Sequence, residues 1–261
     1  VIEDLDAERA EAEFMHDYLV GMPEPERTRL GVTAARIGGG VALAMAADPT
    51  NYWSKALGFD PGALDEVISF YRTSGVRQAV IQLTGLESAP PELERGGTWI
   101  KLGADPRRVT AAPTSLRVGP VPDGEAVAWA NVILDTFGMP RGDLTTMLAS
   151  TVGRPGWQPF AAWDGDRIVA GANLFHQDGR AALNAAATLP EYRGRGAQSA
   201  LIAARAAAAA EAGCHRVYAE TGKPEPGGHN PSLANMVRAG LEPLYERDNW
   251  IWRSPGAGVK R

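Results

Sequence analysis

The chain has 261 residues, 44% of them hydrophobic and 22% charged, and a formal net charge of -5. That length allows one large domain or two of roughly 100–150 residues with a sizeable core, and the acidic balance argues against nucleic acid or an anionic membrane as the main partner. Cys214 is the only cysteine, so an internal disulfide and a cysteine metal cluster are both excluded, which fits a reducing cytoplasm.

The opening VIEDLDAERAEAEF is too acidic for a signal or transit peptide, and no stretch approaches the ~18 unbroken apolar residues of a membrane helix. Residues 4–20 predict a charged helix that docks through Phe14 and Leu19. RLGVTAARIGGGVALAMAADP predicts two strands joined through Gly38, Gly39 and Gly40. Asp60-Pro61 starts a helix whose Leu64, Val67, Ile68 and Tyr71 recur at helical spacing until Gly75. RQAVIQLT and GGTWIKL predict strands. The breaker-rich ADPRRVTAAPT carries no apolar period, so residues 105–114 are expected to link a first domain, 1–104, to a second, 115–261.

In the second half SLRVGPV predicts a strand, and Ala126, Trp129, Ile133 and Phe137 mark one face of a helix. Asp143 is expected to cap a short helix after Pro140. Asp164-Gly165 and Asp178-Gly179 sit between strand-like runs and predict an antiparallel meander. TLPEYRGRGAQSALIAARAAAAAEAGC then passes from a strand through alternating Gly and Arg into an alanine-rich helix. HRVYAETG predicts a strand, NPSLANMVRAGL a short helix with Asn230 as N-cap, and EPLYER to NWIWR a closing strand pair. FYRTSGVRQAVIQL and AAAEAGCHRVYAET share a helix-Gly-strand pattern, which suggests that the two halves repeat one fold; any helix-Gly-strand joint gives the same pattern.

If the helix starts near Gly196 and Ala197, its first N–H groups and aligned dipole attract an anion. Gly194 and Gly196 let the backbone approach it, Arg193 and Arg195 add positive charge, and Ser199 adds a hydroxyl. The bend reads as a pyrophosphate cradle or as an exposed basic turn. A dinucleotide-binding unit is a further reading, with Gly194, Gly196 and Ser199 as G-x-G-x-x-S and Glu220 as the later acid; a hairpin meander before the bend is the wrong setting for it.

Arg193, Gly194, Arg195, Gly196 and Ala197, preceded by PEY, resemble the acyl-CoA loop of the GNAT N-acetyltransferase superfamily; Gln198 departs from its sixth position. The order of elements over 115–253 follows the same family, and residues 1–104 resemble a degenerate copy without a glycine loop, as in tandem GNAT proteins. The resemblance implies a mixed α/β fold with two GNAT-like halves and a cytoplasmic acyltransferase that moves acetyl from acetyl-CoA to a primary amine, with no metal. A silent acyl-CoA sensor is the alternative. It also implies that Thr188 and Leu189 hold the pantetheine arm through backbone groups, with an N–H near Leu189 facing the thioester oxygen. Gln198, Ser199, Asn230 and Asn235 join the cofactor set, with Asn230 equally explained as a plain N-cap. Glu220 is the candidate general base, or an ordinary salt-bridged carboxylate. The family's usual Tyr acid is replaced by Met236, which leaves water, Tyr218 or Tyr245 for that role. The acceptor is a small-molecule or peptide amine; neither nucleic acid nor membrane is expected as a partner.

Overall fold

The computed structural model describes residues 2–84, 86 and 89–255, with side chains from residue 5 onward. In chain order the elements are α1 (Ile2–Val20), α2 (Glu24–Leu30), β1 (Val32–Ile37), β2 (Gly40–Met45), β3 (Lys55–Leu57), α3 (Leu64–Thr73), β4 (Gln78–Leu83) and β5 (Leu93–Ala104). They continue with β6 (Arg117–Pro120), α4 (Ala126–Phe137), α5 (Asp143–Ala149), β7 (Trp157–Asp164), β8 (Arg167–Gln177) and β9 (Arg180–Thr188). The last four are α6 (Ala197–Glu211), β10 (Arg216–Gly222), α7 (Pro231–Arg238) and β11 (Glu242–Arg253). The fold is mixed α/β.

The chain divides into compact units at Trp99/Ile100 and again at Tyr245/Glu246: Ile100–Tyr245 is one unit, and the flanking stretches form the other. Both divisions fall inside strands, β5 and β11, rather than in the breaker-rich segment. Residues 105–114 are not a free linker, because their polar groups are tied to the central unit. Asp105 accepts from Arg107 N at 3.0 Å, Val109 packs on the core, and Thr110 N donates to Ala239 O at 2.9 Å. Breakers end regular structure, yet caps and backbone bonds still fix a segment.

In the flanking unit the strand order is β1-β2-β3-β4-β11-β5. The Gly38–Gly39 turn joins β1 to β2, both glycines at positive φ. Val67, Ile68 and Tyr71 of α3 pack on a core that includes Trp250 and Trp252. The expected closing strand pair is a single strand: EPLYERDNWIWR runs unbroken through β11. ERDN holds no Gly or Pro, Arg247 is buried against Glu8 and Glu11, and Gln82 Nε2 donates to Asn249 Oδ1 at 2.9 Å. Side chains bonded on both sides of the presumed turn keep it extended.

In the central unit the order is β5-β10-β9-β8-β7-β6, antiparallel from β6 to β9 and parallel between β9 and β10. Both Asp-Gly pairs turn hairpins as expected. The same succession, an antiparallel pair and then a parallel neighbour reached through a helix, occurs at β2-β3-α3-β4 and at β8-β9-α6-β10. The internal repeat is therefore architectural. On α4, Trp129 and Ile133 are buried, and Trp129 Nε1 donates to Phe160 O at 2.9 Å. Phe137, expected on that buried face, is the last residue of the helix and is 52% exposed. The α5 N-cap is Gly142 rather than Asp143, which is the first helical residue.

Candidate functional site

Strands β9 and β10 pair over three residues only, from Arg180↔Arg216 to Ala182↔Tyr218, and then both run on, to Thr188 and Gly222. The cause lies on the other edge of β9. Its register with β8 slips between Gly171 and Asn173, and Ala185 at the slip has φ +51. An extra residue in one strand bends it and increases its twist, so β9 leaves β10 and a gap opens between them.

Beyond the gap the chain turns through Pro190–Tyr192 into the glycines. Gly194 has φ +77, and Gly196, the N-cap of α6, has φ +80. No side chain caps α6, so its first N–H groups face the cleft with the positive end of the helix dipole behind them. The flanking unit fills the corresponding position differently. Between β3 and α3, Asp60 Oδ1 accepts from Gly62 N at 2.7 Å and caps the short 3-10 turn Pro61–Ala63 that leads into α3, so a carboxylate stands in this connection and repels an anion.

The predicted cofactor residues converge on one cleft of about 1200 Å³: Thr188, the whole stretch Arg193–Ser199, Asn230 and Asn235 line it. Leu189 does not, because its N–H is spent on Val169 O at 3.0 Å. Successive N–H groups of a strand point to opposite edges, so with Leu189 bonded to β8 it is Thr188, the other residue expected here, whose backbone groups face the gap.

Several side chains expected to point at a cofactor are engaged within the protein. Arg195 forms a bidentate pair with Asp164, 3.0 Å at each nitrogen, and lies over the Tyr192 ring at 5.4 Å. The hydrogen bonds to Arg195 hold the Asp164 carboxyl below its ordinary range and raise the guanidinium in turn. Arg193 is exposed, with Nε 3.4 Å from Thr188 O. Gln198 Nε2 donates to Ser232 Oγ at 2.8 Å and its Oε1 accepts from Asn235 Nδ2 at 2.7 Å, which ties α6 to α7. Asn230 caps α7 by accepting from Ser232 N and Leu233 N, while its Nδ2 donates to Gly222 O at 2.7 Å. These amides shape the cleft wall.

Sequence reasoning missed part of the lining. The segment Thr110–Ser115 forms one wall, with Ala112 N donating to Ser199 Oγ at 2.8 Å and Thr114 Oγ1 donating to Arg195 O at 2.7 Å. Tyr192, Thr136, Phe137 and Arg238 also contribute. Only PEY pointed to any of them.

Glu220 stands on β10 two residues past the last pair with β9, outside the cleft lining. Its Oε2 is 3.3 Å from Nζ of Lys101, which is 3% exposed. Of the hydroxyls weighed as acids, Tyr218 is buried against Gly103 and Tyr245 is half-buried; Met236, at the position where the resemblance expects Tyr, sits in the core. Among the described residues no group of His, Cys, Asp and Glu is arranged to hold a metal, and no helix is long and apolar enough to cross a membrane.

Solved structures share this architecture. A putative acetyltransferase of the GNAT family from Novosphingobium aromaticivorans aligns with TM-score 0.62 at 18% identity, covering 96% of this chain and 99% of its own. A GCN5-related N-acetyltransferase from Kribbella flavida aligns with TM-score 0.59 at 18% identity, over 95% and 94%. A tandem GNAT protein from the clavulanic acid biosynthesis pathway aligns with TM-score 0.56 at 16% identity, over 98% and 94%. At these identities the likeness is one of fold. No curated protein matches the chain in sequence. The family model described as Acetyltransferase (GNAT) family matches residues 123–230, the stretch that holds the splayed strands, the glycine bend and the N-cap of α7, and it is this part of the chain that the GNAT family model identifies.

Proposed function

We propose that the central unit binds acetyl-CoA in this cleft and transfers the acetyl group to a primary amine by direct attack. The observation that carries the reading is the conjunction of two features in one cleft: β9 parts from β10 after Ala182/Tyr218, and an uncapped α6 start lies beside the gap. The helix start and Gly194 receive the pyrophosphate. The pantetheine arm runs along the free edge of β9, and Thr188 supplies backbone groups to it as an added strand would.

In the reaction the neutral amine attacks the thioester carbonyl, the carbonyl electrons move onto oxygen, and collapse of that oxyanion breaks the C–S bond and releases the thiolate. A backbone N–H aimed at the oxygen is worth about 3 kcal/mol. The amine's proton goes to a base at the mouth of the gap. Glu220, which lies outside the cleft lining, takes this part through an intervening water, and Lys101 Nζ stands 3.3 Å from its carboxylate. Coenzyme A thiolate is a fair leaving group near neutral pH, so water protonates it where Met236 offers no hydroxyl. The acceptor is a small-molecule or peptide amine, and the single buried Cys214 suits a reducing cytoplasm.

One pair of observations favours a second reading, a silent acyl-CoA sensor: Met236 is buried, and Glu220 is engaged by Lys101. Thiol release from acetyl-CoA, followed with panels of polyamines, aminoglycosides, amino acids and peptides, separates the two. Transfer predicts release above hydrolysis with at least one amine class; tight binding with no release from any class leaves the sensor.

A further inference from the structure

Arg205 lies in the middle of α6 and is 1% exposed. Among the described residues no carboxylate pairs with it: its Nε donates to Leu201 O at 3.0 Å, and its Nη1 donates to Asn173 O at 2.9 Å and Asn184 O at 3.3 Å. A buried guanidinium without a counter-ion is costly to maintain, and nothing in the packing of an otherwise alanine-rich helix calls for one. Burial pulls its pKa down to about 9, which still leaves it charged at neutral pH.

Its carbonyl partners identify its use. Asn173 and Asn184 face each other across β8 and β9 at the register slip, next to Ala185 with φ +51. At the slip the two carbonyl oxygens share one donor, Arg205 Nη1, and Asn184 Oδ1 is buried there without a hydrogen-bond partner. A cation between the two carbonyls relieves their repulsion and holds a bulge that the ladder alone does not. Three residues further along, β9 reaches Thr188 in the cleft wall, and α6 begins at the glycine bend two turns before Arg205.

We infer that Arg205 is a positioning residue that locks the bulge of β9 to α6 and so fixes the separation between the helix start and the free edge of β9. The inference rests on the proposed acetyl-CoA site, with Arg205 setting the alignment of the thioester rather than gripping the cosubstrate. Misplacement of a reacting group by about 1 Å lowers turnover by on the order of 100-fold, whereas the phosphate contacts at the α6 start are left in place.

The test compares wild type, Arg205→Met and Arg205→Lys in the full chain by amide hydrogen exchange, calorimetric CoA affinity and turnover. Arg205→Met is expected to speed exchange at residues 185–188 by about 10-fold or more, with the rest of α6 and β8 unchanged. It should also lower kcat by at least about 10-fold while CoA affinity stays within about 3-fold, since the pyrophosphate contacts remain. Arg205→Lys, which keeps a donor, should fall between, and it decides the question alone if the Met variant does not fold. Exchange at 185–188 no faster than in wild type, or rising equally throughout the unit, overturns the inference, as does loss of CoA affinity in step with kcat. Failure of the wild type to bind acetyl-CoA refutes the proposed function instead, and the exchange comparison still decides the role of Arg205 at the bulge.

Discussion

A methyl group on Gly196 would stand 2.7 Å from the carbonyl oxygen of Pro113, whereas one on Gly194 would meet nothing within 4 Å. The two glycines of the bend therefore serve different ends. Gly196 admits the 110–115 wall against the helix start, and Gly194 keeps the cradle open. Gly196→Asp should lower both stability and cofactor affinity, because it combines a positive-φ penalty of about 1–2 kcal/mol with a backbone clash. Gly194→Asp is the cleaner probe, since Asp tolerates the left-handed conformation better than most residues. It should fold normally and weaken acetyl-CoA binding by at least about 10-fold, as a carboxylate replaces open space beside the phosphates. Thermal melts with calorimetry check both; unchanged affinity in folded Gly194→Asp moves the pyrophosphate elsewhere.

Lys101 and Glu220 give a double-mutant test of the proton acceptor. Glu220→Gln should lower turnover by about 100-fold if the carboxylate takes the amine proton. It also removes a carboxylate beside a buried ammonium, which should lower stability as well. Adding Lys101→Met should restore much of the stability without restoring turnover. Recovery of turnover with stability would assign Glu220 a purely structural part and leave bound water as the base.

The Arg195–Asp164 pair predicts a salt-dependent gain. Asp164→Asn frees a guanidinium at the cleft wall and should tighten acetyl-CoA binding by about 3-fold at low ionic strength, an advantage that fades with added salt as screening grows. Equal affinities at low salt would show that this cation does not reach the phosphates.

How much of this was legible in the sequence depended on distance along the chain. The Asp-Gly hairpins, the glycine bend, the α6 start and the Asn230 cap are local devices whose partners lie within a few residues, and they form as read. Lys101–Glu220, Arg195–Asp164 and Arg205 with the β8–β9 bulge join residues far apart in the chain, and no spacing announces them. Ala185 at positive φ breaks the usual preference of its own side chain, so composition points away from the bulge. ADPRRVTAAPT looked like a linker because breakers mark irregular backbone, and irregular backbone can still be a site wall.

His16 supplies a pH test of the flanking unit. Burial, and then neighbouring Arg36, lower its pKa below the ordinary value. A histidine depressed in the fold is protonated first in the unfolded chain, so stability falls as pH drops below about 6.5 and levels off above it. Melting temperatures across that range should show the decline in wild type and a flatter profile in His16→Gln. Parallel profiles would assign the acid sensitivity to other groups.

The central claim is that the cleft beside the α6 start takes an acyl-CoA. Calorimetric titration of the full chain with acetyl-CoA, and separately with NAD and NADP, tests it most directly. The account predicts saturable binding of one acetyl-CoA per chain, lost or strongly weakened in Gly194→Asp, and no comparable heat from either dinucleotide. Binding of NAD or NADP with no response to acetyl-CoA would contradict it.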